Sequence, residues 1–186
     1  MLIPIRLSAQ SDEQLMQRAA RGSDRAFEEL YSRHVRRLQG FFTRRLGTDS
    51  DLAADFTHDT FLRLYAARDT YREGSSFRAW LYTIAYNLCK NHHRHQFAFV
   101  SGEDENLADD ANIEVELDVQ RLHDALREVL RSLPEPYAML FSLHYEEELT
   151  IPQIAQITSL PEGTVKSRLH KAMNTVKRNL KQYENR

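Results

Sequence analysis

The chain has 186 residues, 41% hydrophobic and 28% charged, with a single cysteine, Cys89. This composition is typical of a soluble globular protein of one or two small domains and excludes collagen-like, mucin-like and low-complexity classes. One cysteine excludes an internal disulfide and a cysteine-based zinc site. No apolar run is long enough for a membrane span, and residues 1–13 lack the apolar core of a signal peptide. We therefore expect no membrane insertion and a cytoplasmic location.

The net charge of −2 conceals an uneven distribution along the chain. Residues 1–98 carry 15 Lys and Arg against 11 Asp and Glu, residues 99–120 carry none against 8, and residues 121–186 carry 10 against 8. The acidic stretch has few apolar anchors, which predicts a flexible acidic linker over residues 98–115. After a flexible tail over residues 1–10, the linker would join two small helical modules, 11–97 and 116–186, in an all-α fold.

Helical spacing of apolar residues begins at Ser11. It predicts a short first helix that Gly22 ends and a long second helix that Ser23 caps. The second helix has a continuous apolar stripe, formed by Phe27, Leu30, Tyr31, Val35, Leu38, Phe41, Phe42 and Leu46.

A third helix is predicted from Asp49 or Ser50, and its outer face is acidic. Apolar spacing turns Leu52, Phe56, Phe61, Leu64 and Tyr65 inward. Asp51, Asp55, His58 and Asp59 then face outward. This face is either a partner-binding surface or a solvated face placed favourably near a helix N-terminus.

A fourth helix is predicted over residues 77–96, and its faces differ in chemistry. Helical spacing assigns to the core Phe77, Trp80, Leu81, Ile84, Ala85 and Leu88. Aromatic, amide and basic groups lie largely on the other faces, namely Tyr82, Tyr86, Asn87, Lys90, Asn91 and Arg94. Rings stack on bases, amides hydrogen-bond to them and cations meet phosphates, so this surface suits single-stranded nucleic acid. Trp80 is interpreted as a core residue and not as a stacking platform.

Three histidines near the end of this helix, His92, His93 and His95, raise the question of a metal site. Only His92 and His95 share a helix face, and no neighbouring carboxylate completes a ligand set. Phosphate contacts or plain solvent exposure are the favoured interpretation. We expect no metal and no cofactor.

The second module ends in a helix-turn-helix pattern. Apolar spacing predicts one helix over residues 115–133 and another from Pro134 to Tyr145. Thr150 and Gln153 have the spacing of a capping box, so a third helix should begin at Ile151. Residues 159–161 break it, and a last helix follows with the apolar series Val165, Leu169, Ala172, Met173 and Val176.

The last helix carries most of the positive charge of its module, from Lys166, Arg168, Lys171, Lys177, Arg178 and Lys181. Gly163 and Thr164 at its start would let the backbone approach a DNA strand, where helix N–H groups suit a phosphate. Ser167, His170 and Lys171 could reach base edges in a major groove. The alternative is a solvated amphipathic helix.

Three segments resemble one family, the extracytoplasmic-function (group four) sigma factors of bacterial RNA polymerase, within the sigma-70 family. AFEELYSRH and DFTHDTFLRLY with SFRAWLYTIAYN resemble its region two, and the stretch containing LPEGTVKSRLHKA resembles its region four. The resemblance covers residues 11 to 180. It implies a factor without catalytic chemistry that binds core polymerase, directs it to specific promoters and promotes DNA opening.

The resemblance also implies roles for individual residues. Asp55, His58, Asp59 and Leu62 match the helix that docks on the beta-prime clamp coiled coil. The predicted minus-ten site comprises loop residues Ser75, Ser76 and Phe77 with Tyr82, Tyr86, Asn87, Lys90 and Arg94. The predicted minus-thirty-five site comprises Gly163, Thr164, Lys166, Ser167, Arg168, His170 and Lys171. Further implied partners are the beta flap, duplex and single-stranded promoter DNA, and a cognate anti-sigma factor.

Two residues depart from the family pattern. His58 stands where Gln is common, and Ser159 stands in the turn where Gly is common, a place that often requires a positive φ. Three other functions remain open from the residues: a dimeric helix-turn-helix repressor or activator, an enzyme using the histidines, and a sigma mimic that binds an anti-sigma protein but not DNA.

Overall fold

The computed structural model describes residues 7–47, 50–99 and 125–184, and in these ranges it contains helices and no strand. The helices are α1 (Asp12–Ala20), α2 (Asp24–Leu46), α3 (Ser50–Ala66), α4 (Phe77–Phe99), α5 (125–131), α6 (Glu135–Phe141), α7 (Ile151–Thr158) and α8 (Glu162–Glu184). The all-α prediction is confirmed. None of the described helices combines the length and apolarity needed to cross a membrane.

Residues 100–115 of the predicted linker lie outside the described residues. Helix α4 continues to Phe99, two residues into the range predicted as linker. The helices fall into two compact units, the first formed mainly by α1 to α4 and the second by most of the chain from α5 onward.

Helix α2 is the centre of the first unit, because both α1 and α3 pack against it. Its fully buried side chains include Leu30, Leu38, Phe41 and Phe42, four members of the predicted stripe. Phe42 meets Phe56 of α3 edge to face at 5.5 Å between ring centroids. Edge-to-face packing of this kind adds to the free energy gained from burial of the rings. The long second helix is therefore the scaffold on which the rest of the unit is held.

Local signals set the ends of α1 and α2. Ser11 and Gln14 form a reciprocal capping box, with N–H to side-chain oxygen distances of 3.0 and 3.2 Å. Gly22, with φ of +92°, follows the end of α1. Ser23 occupies the N-cap position of α2 as predicted, but its side chain makes no capping hydrogen bond.

In the second unit, α6 packs against α8. The core around this contact comprises the buried residues Val129, Leu133, Ala138, Phe141, Ala172 and Val176. Val129 belongs to α5, Leu133 to the turn that follows it and the others to α6 and α8, so this core holds α5 and α6 against α8. A single π-helical turn, Ser142–Glu146, directly follows α6.

The helix-turn-helix has the local geometry that the sequence predicts. The Thr150 N–H donates to Gln153 Oε1 at 2.9 Å, the Gln153 N–H returns to Thr150 Oγ1 at 3.5 Å, and α7 begins at Ile151. At its other end Ser159 has φ of +56°, and the Leu160 N–H donates to the Ala155 carbonyl at 3.2 Å. This six-to-one hydrogen bond with a left-handed residue before it is a Schellman cap. The turn between α7 and α8 is thus short, and its backbone conformation is held by this hydrogen bond.

Candidate nucleic-acid interface

The predicted recognition helix, α8, has a clear division between a buried and an exposed side. Val165, Leu169, Ala172 and Val176 are each at most 4% exposed. The exposed members of the predicted site are Gly163, Lys166, Ser167, His170 and Lys171, while Thr164 and Arg168 are half-buried. A helix with 3.6 residues per turn places an apolar series at this spacing on one side and its charged residues on the other. The site residues therefore share one accessible basic surface.

This basic surface continues towards the C-terminal end of α8. Lys177, Arg178 and Lys181 are exposed there. At the other end, the Ser167 hydroxyl donates to the Thr164 carbonyl at 3.0 Å. Ser167 is consequently oriented by the helix itself, with its oxygen still able to accept a hydrogen bond.

Helix α4 presents a second polar surface, in the first unit. Asn87, Lys90, Asn91 and Arg94 are exposed, and their spacing of three and four residues places them along one face. Tyr86 lies beside them and is half-buried. Amide and cationic groups on one accessible helix face supply both hydrogen-bonding groups for bases and charge for phosphates.

Two residues of the predicted minus-ten site are buried, and for Tyr82 this differs from the surface position that helical spacing predicts. Tyr82 is 1% exposed and packs edge to face against Phe41 at 5.4 Å between ring centroids. Phe77 is fully buried and contacts the ring of His34 at 5.1 Å. Helix α4 buries a wider stripe than apolar spacing alone indicates, because Tyr82, Ala85 and Cys89 form a second buried line beside Leu81 and Leu88. The prediction that Phe77 belongs to the core is confirmed.

The loop before α4 is closed on itself by Tyr71. The Tyr71 hydroxyl donates to the Ser75 carbonyl, and its ring stacks on Trp80 at 5.4 Å with 28° between the planes. Trp80 is half-buried, so it borders the fully buried core while stacking on Tyr71. Burial raises the pKa of Tyr71 to about 12, with a contribution from the carboxylates of Glu13 and Asp12. The hydroxyl therefore stays protonated and keeps its hydrogen bond at any physiological pH.

Ser76 joins this loop to α4. Its hydroxyl accepts the Ala79 N–H at 3.2 Å, and its carbonyl accepts the Trp80 N–H at 3.2 Å. Ser76 is thus the N-cap of α4, and both Ser75 and Ser76 are half-buried. The two predicted site serines hold the loop in shape and have part of their surface accessible.

A network that the sequence analysis missed supports the same loop from α1 and α2. Glu13 Oε1 accepts the Phe77 N–H at 3.4 Å, and His34 Nε2 lies 2.7 Å from Asp12 Oδ2. Burial lowers the pKa of His34, against the opposing effect of Asp12. These partners are 22 and 64 residues apart, and no periodicity or local motif in the sequence indicates such distant pairs.

The third predicted surface lies on α3. Asp55 and His58 are exposed, and Leu62 is 54% exposed. Asp59 is partly exposed and pairs with Arg63 at 2.9 Å across one helical turn. The predicted residues follow one another at helical spacing, so carboxylates and an apolar side chain share one accessible face. Such a face suits a partner that offers basic groups around an apolar contact.

Among the residues that the structure describes, no group of three or more His, Cys, Asp and Glu side chains could hold a metal ion. His92 packs edge to face against Phe56 at 5.5 Å and lies beside His93. The side chain of His95 lies outside the described part of the chain.

Each of the two units contains a match to a protein-family model. The family model "Sigma-70 region 2" matches residues 30–97, and the model "Sigma-70, region 4" matches residues 123–181. The chain belongs to the sigma-70 family. It is an RNA polymerase sigma factor of the extracytoplasmic-function type, a class of transcription initiation factors that direct the polymerase to promoters.

Full-length relatives support this assignment. RNA polymerase sigma-H factor of Pseudomonas aeruginosa is 29% identical over 91% of this chain and 94% of its own length. The extracytoplasmic-function sigma-E factor of Escherichia coli K12 is 28% identical over 89% of this chain and 92% of its own. Both comparisons cover about nine tenths of each chain.

Solved structures show the same fold. CnrH, in complex with the cytosolic domain of CnrY, is 22% identical with a TM-score of 0.68, over 93% of this chain and 99% of its own. The sigma factor RpoE of Bartonella quintana, in complex with the anti-sigma factor NepR, is 24% identical with a TM-score of 0.68, over 83% of this chain and 96% of its own.

Proposed function

We propose that this sigma factor reads its promoter with two separate surfaces, the basic face of α8 and the polar face of α4. The α8 face binds the minus-thirty-five element as duplex DNA. Lys166, His170 and Lys171 are exposed on the side of α8 opposite its buried apolar stripe. A helix that enters a major groove has this arrangement. Lys and Arg contacts to phosphates supply affinity, and the side chains nearest the groove floor supply sequence preference.

The α4 face binds the unpaired minus-ten strand, together with the loop over residues 71–76. One observation carries this proposal: Asn87, Lys90, Asn91 and Arg94 are all exposed along one side of α4. An amide offers a donor and an acceptor to a single base, and the cations suit a backbone that runs along the helix. Phe77 and Tyr82 take no direct part, because both are buried.

Promoter opening in this arrangement is driven by binding energy. Unstacking and unpairing a base costs a few kcal/mol, and stacking on an aromatic ring returns about 1–3 kcal/mol per base. With Phe77 and Tyr82 in the core, the partly exposed rings available near the α4 face are Tyr86 and Trp80. Trp80 already stacks on Tyr71, so a captured base would extend or replace an existing stack.

The acidic face of α3 is proposed to dock on the clamp coiled coil of the beta-prime subunit. Its support is the exposure of Asp55, His58 and Leu62 on one side of the helix. Carboxylates there would attract a basic partner, and Leu62 would supply buried apolar area on binding.

A cognate anti-sigma factor is a further proposed partner. The solved relative of Bartonella quintana is held by an anti-sigma factor. The shared fold supports an equivalent partner for this chain. The proposed division of the chain is a docking and minus-ten module over residues 11–97, an acidic linker over 98–115, and a minus-thirty-five module over 116–186.

The sharpest test of the minus-ten surface is Asn87→Ala, because Asn87 is exposed and its truncation leaves the core intact. Loss of a base contact should cost about 1–3 kcal/mol in open-complex formation, with a dependence on the base at one promoter position. Permanganate footprinting of melted thymines measures this. Binding to the minus-thirty-five duplex should be unchanged.

Glu28→Ala is the matched control, since Glu28 is an exposed residue of the same unit on α2. It should open promoters as the wild-type protein does. An Asn87→Ala protein of unchanged thermal stability that melts every promoter as well as wild type would remove α4 from the minus-ten site.

A further inference from the structure

The acidic first turn of α1 reaches the start of α4, at the end of the loop proposed to hold the minus-ten base. Helix α1 precedes residue 30, where the match to the region 2 family model begins. Glu13 Oε1 nevertheless accepts the N–H of Phe77, the first residue of α4, at 3.4 Å. An orphan N–H at a helix start is thus satisfied from another helix, far away in the sequence.

Asp12 helps to hold the Phe77 side chain in place through His34. Its Oδ2 lies 2.7 Å from His34 Nε2, and the His34 ring packs against the Phe77 ring at 5.1 Å. Its Oδ1 accepts a hydrogen bond from Arg33 at 3.0 Å. Arg33 also donates to the carbonyls of Leu7, Ser8 and Gln10, so the segment leading into α1 is tied to α2. Phe77 is consequently held both by its backbone and by its ring.

The far end of the loop is also within reach of α1. Helix α1 packs against the 3-10 turn Arg68–Thr70, which leads directly into Tyr71, and the carboxylates of Glu13 and Asp12 contribute, with burial, to the raised pKa of Tyr71. Tyr71 in turn stacks on Trp80 and donates to the Ser75 carbonyl. One end of the loop therefore contacts the first turn of α1, and the other end follows a turn that packs against α1.

We propose that Asp12 and Glu13 are positioning residues for the minus-ten loop, which they hold in the form that receives the unpaired base. They act through Phe77 and the 71–76 backbone and make no contact with DNA themselves. The inference rests on the proposed minus-ten surface and adds to it a support outside the family's matched region. Pre-organisation of this kind raises affinity because the loop does not have to be ordered on binding.

Glu13→Ala tests the proposal in the full chain bound to core polymerase. The substrate is a promoter fork with a duplex upstream part and a single-stranded non-template minus-ten element. Loss of one part-buried acceptor and of loop order should weaken fork binding by ~3–10-fold, the equivalent of about one hydrogen bond. Affinity for core polymerase and for the minus-thirty-five duplex should not change.

Glu13→Gln separates positioning from charge, since the amide keeps an acceptor oxygen for the Phe77 N–H. It should restore most of the fork affinity that the alanine variant loses. Glu28→Ala, on the exposed side of α2, is the control and should bind the fork as the wild-type protein does.

Three results would overturn the inference. They are wild-type fork binding by Glu13→Ala, a glutamine variant as weak as the alanine variant, and a parallel loss of thermal stability and every binding activity. Asn87→Ala in the same assay shows which proposal has failed. If Asn87→Ala weakens fork binding and Glu13→Ala does not, only the positioning role is wrong; if neither weakens it, the minus-ten surface itself is wrong.

Discussion

Replacing Ser159 by glycine should stabilise the helix-turn-helix. Ser159 directly follows α7 and has φ of +56°, a left-handed conformation that a residue with a Cβ adopts at a cost. Its Leu160 neighbour completes the cap by donating to the Ala155 carbonyl at 3.2 Å. The position thus has the backbone that glycine most often occupies in a Schellman cap, while the sequence supplies serine.

The size of the effect follows from two opposing contributions. The left-handed conformation costs a residue with a Cβ ~1–2 kcal/mol, which glycine avoids. Glycine loses more backbone entropy on folding, at a cost of ~0.5–1 kcal/mol. Ser159→Gly should therefore raise the free energy of unfolding by ~0.5–1 kcal/mol. Ser159→Ala keeps the Cβ at an exposed position, so it should stay within about 0.5 kcal/mol of wild type.

Urea denaturation of the three proteins measures this difference, provided that the dependence on urea concentration is the same for all. Affinity for the minus-thirty-five duplex should stay at the wild-type level, because Ser159 is not among the residues proposed to contact DNA. A glycine variant less stable than the alanine variant would refute the reasoning, since it would mean that the turn imposes no cost on a side chain.

Three further predictions concern the other surfaces. Lys166→Ala and Lys171→Ala should each weaken binding to the minus-thirty-five duplex. Each should also reduce the slope of log K against log salt concentration by the equivalent of about one phosphate contact. An unchanged slope in both variants would show that α8 does not contact DNA. Leu62→Ala should weaken core polymerase binding by ~1 kcal/mol or more while the urea midpoint stays constant, because Leu62 is 54% exposed; equal binding in a pull-down titration would exclude it from the clamp contact. Burial holds the pKa of His34 below its ordinary 6.5, among Asp12, Arg33 and Arg78, so the unfolded chain takes up a proton that the folded chain resists. This contribution to the free energy of unfolding is complete above pH 6.5 and is lost as the pH falls through the pKa of His34 in the folded protein. The melting temperature of His34→Gln should therefore fall less on acidification than that of the wild-type protein. An identical fall in both proteins would contradict this.

Local sequence signals were sufficient to predict the helix-turn-helix. The start of α7 at Ile151 follows from Thr150 and Gln153, whose side chains reach only three residues along the chain. The positive φ of Ser159 was implied by the family resemblance, because Gly is common at that place in the family's turn. The accessible face of α8 follows from a clean apolar series, because each buried residue lies three or four positions from the next.

The loop and α4 were predicted less well, because tertiary contacts decide them. Tyr82 falls outside a one-line apolar stripe, yet α2 covers it with Phe41. Trp80 has the hydrophobicity of a core residue, but Tyr71 provides a stacking partner at the edge of the unit. The contact between Glu13 and Phe77 spans 64 positions, and periodicity within one helix contains no information about it.

Run-off transcription tests the central claim most directly. Core polymerase would be incubated with a promoter library, with the wild-type protein, with Glu28→Ala, or with a Lys166→Ala, Lys171→Ala double variant. The wild-type protein and Glu28→Ala should yield the same set of transcripts from specific promoters, and the double variant should lose those that depend on the upstream element. Sequence-specific duplex binding without polymerase, combined with no promoter-dependent transcript from any mixture, would contradict the account and indicate a repressor or activator instead.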